Sequence, residues 1–253
     1  MTFSSRTNSY ATYGQSFLPV DLSLKEQVVL VFGGNRAAYL ELLKILDSGA
    51  RVELVAKVAV SEIQELLLTH AGRLTMRRLN PLEFIKDAPR PSLVLVFGLA
   101  AEVEAALIEH YRKLSVPLFV QYRPDLSDFS LPTYLKRGYL KVAVHTDGVL
   151  PCFEQILLDR LEESMQSDFD RMTIFISQLR ERTDELLVEQ EEWRAPLMAA
   201  MEASEDFLMA LSRSSFDEAL RIFSERARLF LAQRNGGEAL AESGRDGDES
   251  HGG

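Results

Sequence analysis

The sequence predicts an α/β protein: a parallel sheet flanked by helices, then a short extended region, then an all-α C-terminal part. Three observations carry this. The apolar runs Val28-Val29-Leu30-Val31-Phe32 and Leu93-Val94-Leu95-Val96-Phe97 read as strands buried on both faces. Up to Gln121 such runs alternate with amphipathic segments at helical spacing, which implies parallel strands joined by right-handed crossovers. Beyond Pro151 the pattern is helical throughout, with acidic and basic residues interleaved on the outer faces.

The stretch from Gln27 to Asp47 organises the rest. Its strand ends at Gly33-Gly34, and Tyr39, Leu42, Leu43 and Leu46 follow at helical spacing. Strand, glycine turn and helix form the first half of a nucleotide-binding βαβ unit, whose helix N-terminus offers free N–H groups to a pyrophosphate. The G-x-G-x-x-G/A fingerprint is met at Gly33 and Ala38, but Asn35 stands at the second glycine, where a side chain narrows the approach of a phosphate. Asparagine tolerates a left-handed backbone, so the turn is expected to survive. A Rossmann-type sheet follows, its turn either binding a dinucleotide or purely structural.

The remaining elements follow in order. Residues 1–16 read as a disordered tail and Phe17-Leu18-Pro19-Val20 as an extended, anchored entry. Gly49 suits the end of the first helix, and residues 51–56 form the second strand. In many dinucleotide folds an acid at this tip holds the ribose hydroxyls; here the tip is Val55-Ala56-Lys57. Lys57 either favours a 2′-phosphate or is an ordinary surface lysine. A helix at 61–71, strand at 73–77, brief helix at 81–86, strand at 92–97, helix at 100–113 and strand at 117–121 complete the sheet. His70 suits a helix end and His110 a surface. Residues 123–129 form a polar loop, and 129–134 and 140–145 are extended. Helices are expected at 153–165, 169–189, 196–211 and from the Ser215 capping box to about 232. The domain expectation is a 1–16 tail, a 17–121 Rossmann domain, a 122–150 dimerisation region, a 151–234 helical domain and a 235–253 disordered acidic tail.

Bulk properties exclude several classes. The chain has 253 residues, 46% of them hydrophobic, enough for one or two domains with cores. A formal charge of −10 argues against a nucleic-acid footprint. No apolar run reaches the roughly eighteen residues of a spanning helix, and the N-terminus has no secretory h-region. The single cysteine, Cys152, excludes a disulfide framework and a Cys-based zinc site. The expectation is a cytoplasmic protein with no metal site and no membrane contact.

Several strings in fixed order resemble the family of precorrin-2 dehydrogenase and sirohydrochlorin ferrochelatase, also found as the N-terminal part of siroheme synthase. They are Leu18-Pro19-Val20 with Leu22 and Leu24; Val29-Leu30-Val31-Phe32-Gly33-Gly34; Gly49-Ala50-Arg51-Val52; Pro124, Leu126, Asp128-Phe129 and Pro132; Lys136-Arg137-Gly138 with Leu140; and Val142-Ala143-Val144 leading to Gly148 and Pro151. The resemblance covers about residues 17–165. It implies a Rossmann domain, a homodimer through exchanged extended segments and a helical C-terminal domain. It also implies NAD-dependent oxidation of precorrin-2 to sirohydrochlorin, with iron as a substrate in some members. Gly33, Gly34, Asn35, Arg36 and Gly98 are the candidate cofactor-binding residues.

The chain departs from the family's pattern around one cleft. The pattern's triple glycine is Gly33-Gly34-Asn35 here, its Thr-Asp-Asp is Gly98-Leu99-Ala100, its Ser-Thr and Ser-Pro are His145-Thr146 and Leu150-Pro151, and its aspartate is Tyr122. A tyrosine, with a pKa of about 10, is a poor base near neutrality. The catalytic candidates are therefore His145, Asp128 and Tyr122. His145 either titrates near pH 7 and ligates iron or ends a strand in a polar turn. Asp128 is expected to cap the loop backbone at 129–130, and Asp125 to face solvent. The alternatives to an enzyme are a non-catalytic tetrapyrrole- or nucleotide-binding homodimer acting as carrier or sensor, and an assembly partner that binds another protein through its helices.

Overall fold

The computed structural model describes residues 17–86, 90–146, 150–188 and 190–243. The expected tail at 1–16, the turn at 147–148 and residues 244–253 lie outside them. The chain forms two compact units: Met1–Pro132 with His145–Glu154, and Thr133–Val144 with Gln155–Gly253.

In the first unit, strands β1 (Val28–Phe32), β2 (Arg51–Val55), β3 (Leu74–Arg77), β4 (Leu93–Val96) and β5 (Leu118–Val120) form a sheet in the order β3-β2-β1-β4-β5. Every neighbouring pair is parallel. Helices α1 (Arg36–Asp47), α2 (Ser61–Thr69), α3 (Pro81–Phe84) and α4 (Ala101–Lys113) connect them. The two-residue period of β1 divides the core. Val29 and Val31 join Leu42, Leu46, Leu54, Ile63 and Leu95 on one face, while Leu30 and Phe32 join Val94, Val96, Leu107, Tyr111 and Leu118 on the other. Each such side chain stabilises by ~1.5–3 kcal/mol through burial. That double burial makes β1 a continuous apolar run, as the sequence predicts.

The β5 edge is closed from within. The Val120 N–H donates to Ser127 Oγ at 2.9 Å and the Leu118 N–H to Asp128 Oδ2 at 2.9 Å. Asp128 thus caps the sheet edge, a correction to the expected cap at 129–130. Its carboxylate reaches outward-pointing strand amides that would otherwise await another chain.

The entry segment is a second correction. Leu18, Val20 and Leu22 are exposed by 81%, 71% and 59% rather than anchored. This segment joins neither sheet.

The second unit opens with an antiparallel hairpin, β6 (Thr133–Arg137) and β7 (Leu140–Val144). Gly138, at φ +54°, starts its two-residue loop. Arg137 carries the hairpin onto helix α5 (Pro151–Leu186) through Glu162 and Asp170. Helices α6 (Arg194–Glu202), α7 (Glu205–Ser212) and α8 (Phe216–Ser243) pack with α5 around Phe175, Leu197, Met201, Phe207 and Phe223.

Three helix boundaries differ from expectation. The segments expected at 153–165 and 169–189 are one helix, because no glycine or proline separates them. The helix expected at 196–211 breaks at Ser204, whose hydroxyl accepts the Phe207 N–H and starts α7. Helix α8 continues past 232 to Ser243, so residues 235–243, expected to belong to a disordered tail, are helical.

Candidate functional site

In an open parallel sheet, ligands bind where the strand order reverses, beyond the C-terminal ends of the strands. Here that point lies between β1 and β4, so the crevice is flanked by Gly33-Gly34-Asn35 and by Phe97-Gly98. Both glycines of the turn are required by packing. A Cβ on Gly33, at φ +103°, would lie 2.0 Å from the Phe97 carbonyl oxygen, and one on Gly34 would lie 2.4 Å from that of Val58.

Asn35 takes a different part from the one expected. Its backbone is extended, at φ −82°, and the left-handed residue of the turn is Gly33. Asn35 is the N-cap of α1: the Ala38 N–H donates to Asn35 Oδ1 at 2.9 Å. Its Nδ2 reaches across the sheet to Gln121 Oε1 at 3.4 Å. Gly98, at φ +56°, leaves the room for this, since a Cβ there would lie 2.6 Å from Asn35 Nδ2.

Tyr122 follows directly. Its φ is +60° and its side chain is 76% exposed, at the C-terminal end of β5. A bulky residue in the left-handed region costs about 1–2 kcal/mol and is a mark of functional sites. The structure thus brings Asn35, Gly98 and Gln121 together, and exposed Tyr122 follows Gln121 in the chain. The sequence does not single out Gln121. Its signal was slight: a polar residue directly after the apolar strand Leu118-Phe119-Val120.

The other candidates lie elsewhere in the unit. Arg36 is the first residue of α1, and its largely exposed guanidinium pairs with Glu62 at 2.9 Å. Hydrogen bonds from its own backbone and from Ser61, and then Arg36, hold the Glu62 carboxyl below the usual range. Asp128 meets Leu118, the first residue of β5, whereas Tyr122 lies two residues beyond the last, Val120, so they sit toward opposite ends of that strand. Asp125 is paired twice with Arg123, which keeps its carboxyl low.

The contacts of His145 lead to Glu154. Its Nδ1 lies 3.3 Å from Glu154 Oε1, which also accepts the Thr146 N–H at 2.7 Å and hydroxyl at 2.8 Å. Glu154 is only 2% exposed. Nearby Glu41, on α1, pairs with Lys44 at 2.8 Å. Burial pushes the Glu41 carboxyl up, Lys44 counters this, and Glu154 adds to the rise. Glu41 and Glu154 could not be found from sequence, because each looks like one more acid on an amphipathic helix.

The residues present do not fit a dinucleotide in the usual pose. A pyrophosphate at this crevice needs close backbone approach and the free N–H groups of the α1 N-terminus. Here the Asn35 side chain takes the Ala38 N–H and stands against Gly98 on the crevice side of the turn. At the β2 tip, Ala56 and Lys57 supply no acid for a ribose.

Fold and crevice define a protein of the Rossmann class, with Asn35 as the N-cap of the helix that follows its glycine turn. Residues 20–133 match the family model described as "Putative NAD(P)-binding". The chain is a distant member of the siroheme synthase N-terminal region and precorrin-2 dehydrogenase family. It is 29% identical over 183 residues to siroheme synthase of Nitrosomonas europaea, covering 70% of this chain and 37% of that protein. It is 31% identical over 173 residues to siroheme synthase of Methylococcus capsulatus, covering 68% and 36%. The chain therefore spans little more than a third of the length of these curated relatives. Among solved structures, SirC, a precorrin-2 dehydrogenase, superposes with a TM-score of 0.55 at 22% identity, covering 84% of this chain and 99% of that one. That likeness supports the fold. Among the described residues no helix is long and apolar enough to cross a membrane, and no group of three or more His, Cys, Asp or Glu side chains is placed to hold a metal ion.

Proposed function

We propose that this chain is a tetrapyrrole-binding member of the siroheme family that holds its ligand without transferring hydride. On this reading it acts in the cytoplasm as a homodimer through residues 122–150, with the helical part free to pass the bound state to a protein partner. One observation carries the reading: the amides of Asn35 and Gln121 meet at the crevice, and the exposed phenol of Tyr122 belongs to the next residue after Gln121. Precorrin-2 oxidation needs a hydride acceptor and a group that takes a proton near neutrality, and two amides and a phenol do not supply the latter. The family supports a tetrapyrrole as ligand. An exposed tyrosine ring, held in a strained backbone, suits stacking on a planar macrocycle.

The test is a titration of purified protein with sirohydrochlorin, read by absorbance, beside an assay for NADH formation from NAD and precorrin-2. A saturable spectral shift without NADH is the expected result. A flat titration would remove the reading. NADH formation would select a second one, NAD-dependent precorrin-2 dehydrogenation with or without iron insertion, which the "Putative NAD(P)-binding" match and the Gly33-Gly34 turn favour. In that case His145 is the first candidate for the proton-accepting group.

A further inference from the structure

The capped turn deepens the reading above, on which this inference rests: it concerns which ligands the same crevice rejects. We infer that Asn35 is an internal stand-in for a phosphate and is the residue that excludes dinucleotides from this Rossmann unit. Three contacts converge on its side chain. Oδ1 accepts the Ala38 N–H at 2.9 Å, one of the donors that a bound phosphate would use. Nδ2 donates to Gln121 Oε1 at 3.4 Å, which carries the amide from β1 across to the end of β5. Gly98 is the wall behind it, with its absent Cβ only 2.6 Å from Nδ2. The amide is thus fixed on both sides, and it lies where the strand order reverses.

The chemistry accounts for selectivity as well as blockage. A helix N-terminus attracts anions through its partial positive charge and its unpaired N–H groups. Asn35 satisfies one of those groups with a neutral oxygen, and its side chain keeps the phosphate from the backbone. A pyrophosphate entering here must displace both amide hydrogen bonds. A macrocycle lying against Tyr122 need displace neither. The seat therefore rejects phosphate-bearing ligands while the Tyr122 ring stays open to planar ones. Gly33 and Gly34 are separately required by the Phe97 and Val58 carbonyls, so the turn itself keeps nucleotide-binding geometry. One substitution should reopen it.

The experiment titrates NAD, and separately inorganic pyrophosphate, into the full chain and into Asn35→Gly by calorimetry. Glycine is tolerated at an N-cap and at the second glycine of the fingerprint, so N35G is expected to fold. The expected result is NAD binding at least tenfold tighter to N35G than to the unsubstituted chain, with pyrophosphate following the same order. Equal affinities, with both proteins folded by circular dichroism, would overturn the inference. Should N35G fail to fold, Asn35→Ser decides: its shorter side chain keeps a cap and clears the Gly98 wall, so tighter NAD binding supports the inference and unchanged binding overturns it. The tetrapyrrole titration is run without nucleotide. A flat sirohydrochlorin curve therefore strikes the proposed function, and equal NAD affinities strike the role of Asn35.

Discussion

Gly33 and Gly34 on one side and Asn35 on the other are consecutive residues of one turn, yet they answer to different constraints. The two glycines face backbone: the Phe97 and Val58 carbonyls stand where their side chains would go. Asn35 faces the crevice, where its neighbours are the open face of Gly98 and the end of the Gln121 side chain. The difference teaches that a glycine-rich turn is not one feature. Part of it is demanded by the close packing of strand and helix, and part by a ligand. The packing part can persist when the ligand part has changed, so a fingerprint half met still reports the fold and says little about the cofactor.

The largest expected effect tests the packing half. Gly33→Ala should destabilise by about 3 kcal/mol or more, since it adds both overpacking and a left-handed alanine. Asn35→Gly should cost only about a few tenths of a kcal/mol. Urea unfolding of both variants measures the contrast, and similar losses would break the comparison.

Two changes of intermediate size extend it to other packed and open positions. Tyr111 is fully buried and its hydroxyl has no hydrogen-bond partner in the structure. Burial also pushes its pKa well above the usual tyrosine value. Tyr111→Phe should therefore raise stability by about 1 kcal/mol, read as a higher urea midpoint at unchanged slope. Tyr122 is the opposite case, exposed but strained. Tyr122→Gly should relieve up to about 1 kcal/mol of left-handed strain while weakening the sirohydrochlorin absorbance change. Gained stability with unchanged tetrapyrrole binding would remove the ring from the site.

The smallest effect concerns pH. The Glu41 carboxyl is raised by burial, so the folded state holds its proton more tightly than the unfolded state. That contribution to stability is fully present below the ordinary glutamate pKa and is lost as pH rises through the raised value. Glu41→Gln removes the titration. It should gain a few degrees in Tm at pH 7 relative to its effect at about pH 4. Thermal scans of both proteins at the two pH values check the sign. An equal shift at both would show that Lys44 already compensates the charge.

Much of the fold was legible in the sequence because its cause is local and periodic. A strand buried on both faces must be apolar at every position, as Val28–Phe32 and Leu93–Val96 are, and a helix on a sheet must be apolar at the spacing of Leu42, Ile45 and Leu46. The entry at Phe17-Leu18-Pro19-Val20 was equally visible, but local sequence cannot say whether such a segment finds a partner, and here Leu18 and Val20 are exposed. The Ser204 break in the third predicted helix was missed for a related reason: a serine followed by acids is common on helix surfaces as well as at caps.

The site was legible only as a set of departures. From sequence alone came the sheet, the glycine turn, the neutral residue at its third position and the tyrosine where the family's pattern has an aspartate. Tertiary structure decided that Asn35 spans from Ala38 to Gln121, that Asp128 closes a sheet edge, and that His145 turns to Glu154. The physical reason is range. Strands and helices are set by neighbours a few residues apart, whereas the Asn35–Gln121 contact joins residues 86 positions apart and exists only once parallel pairing has brought β1, β4 and β5 side by side.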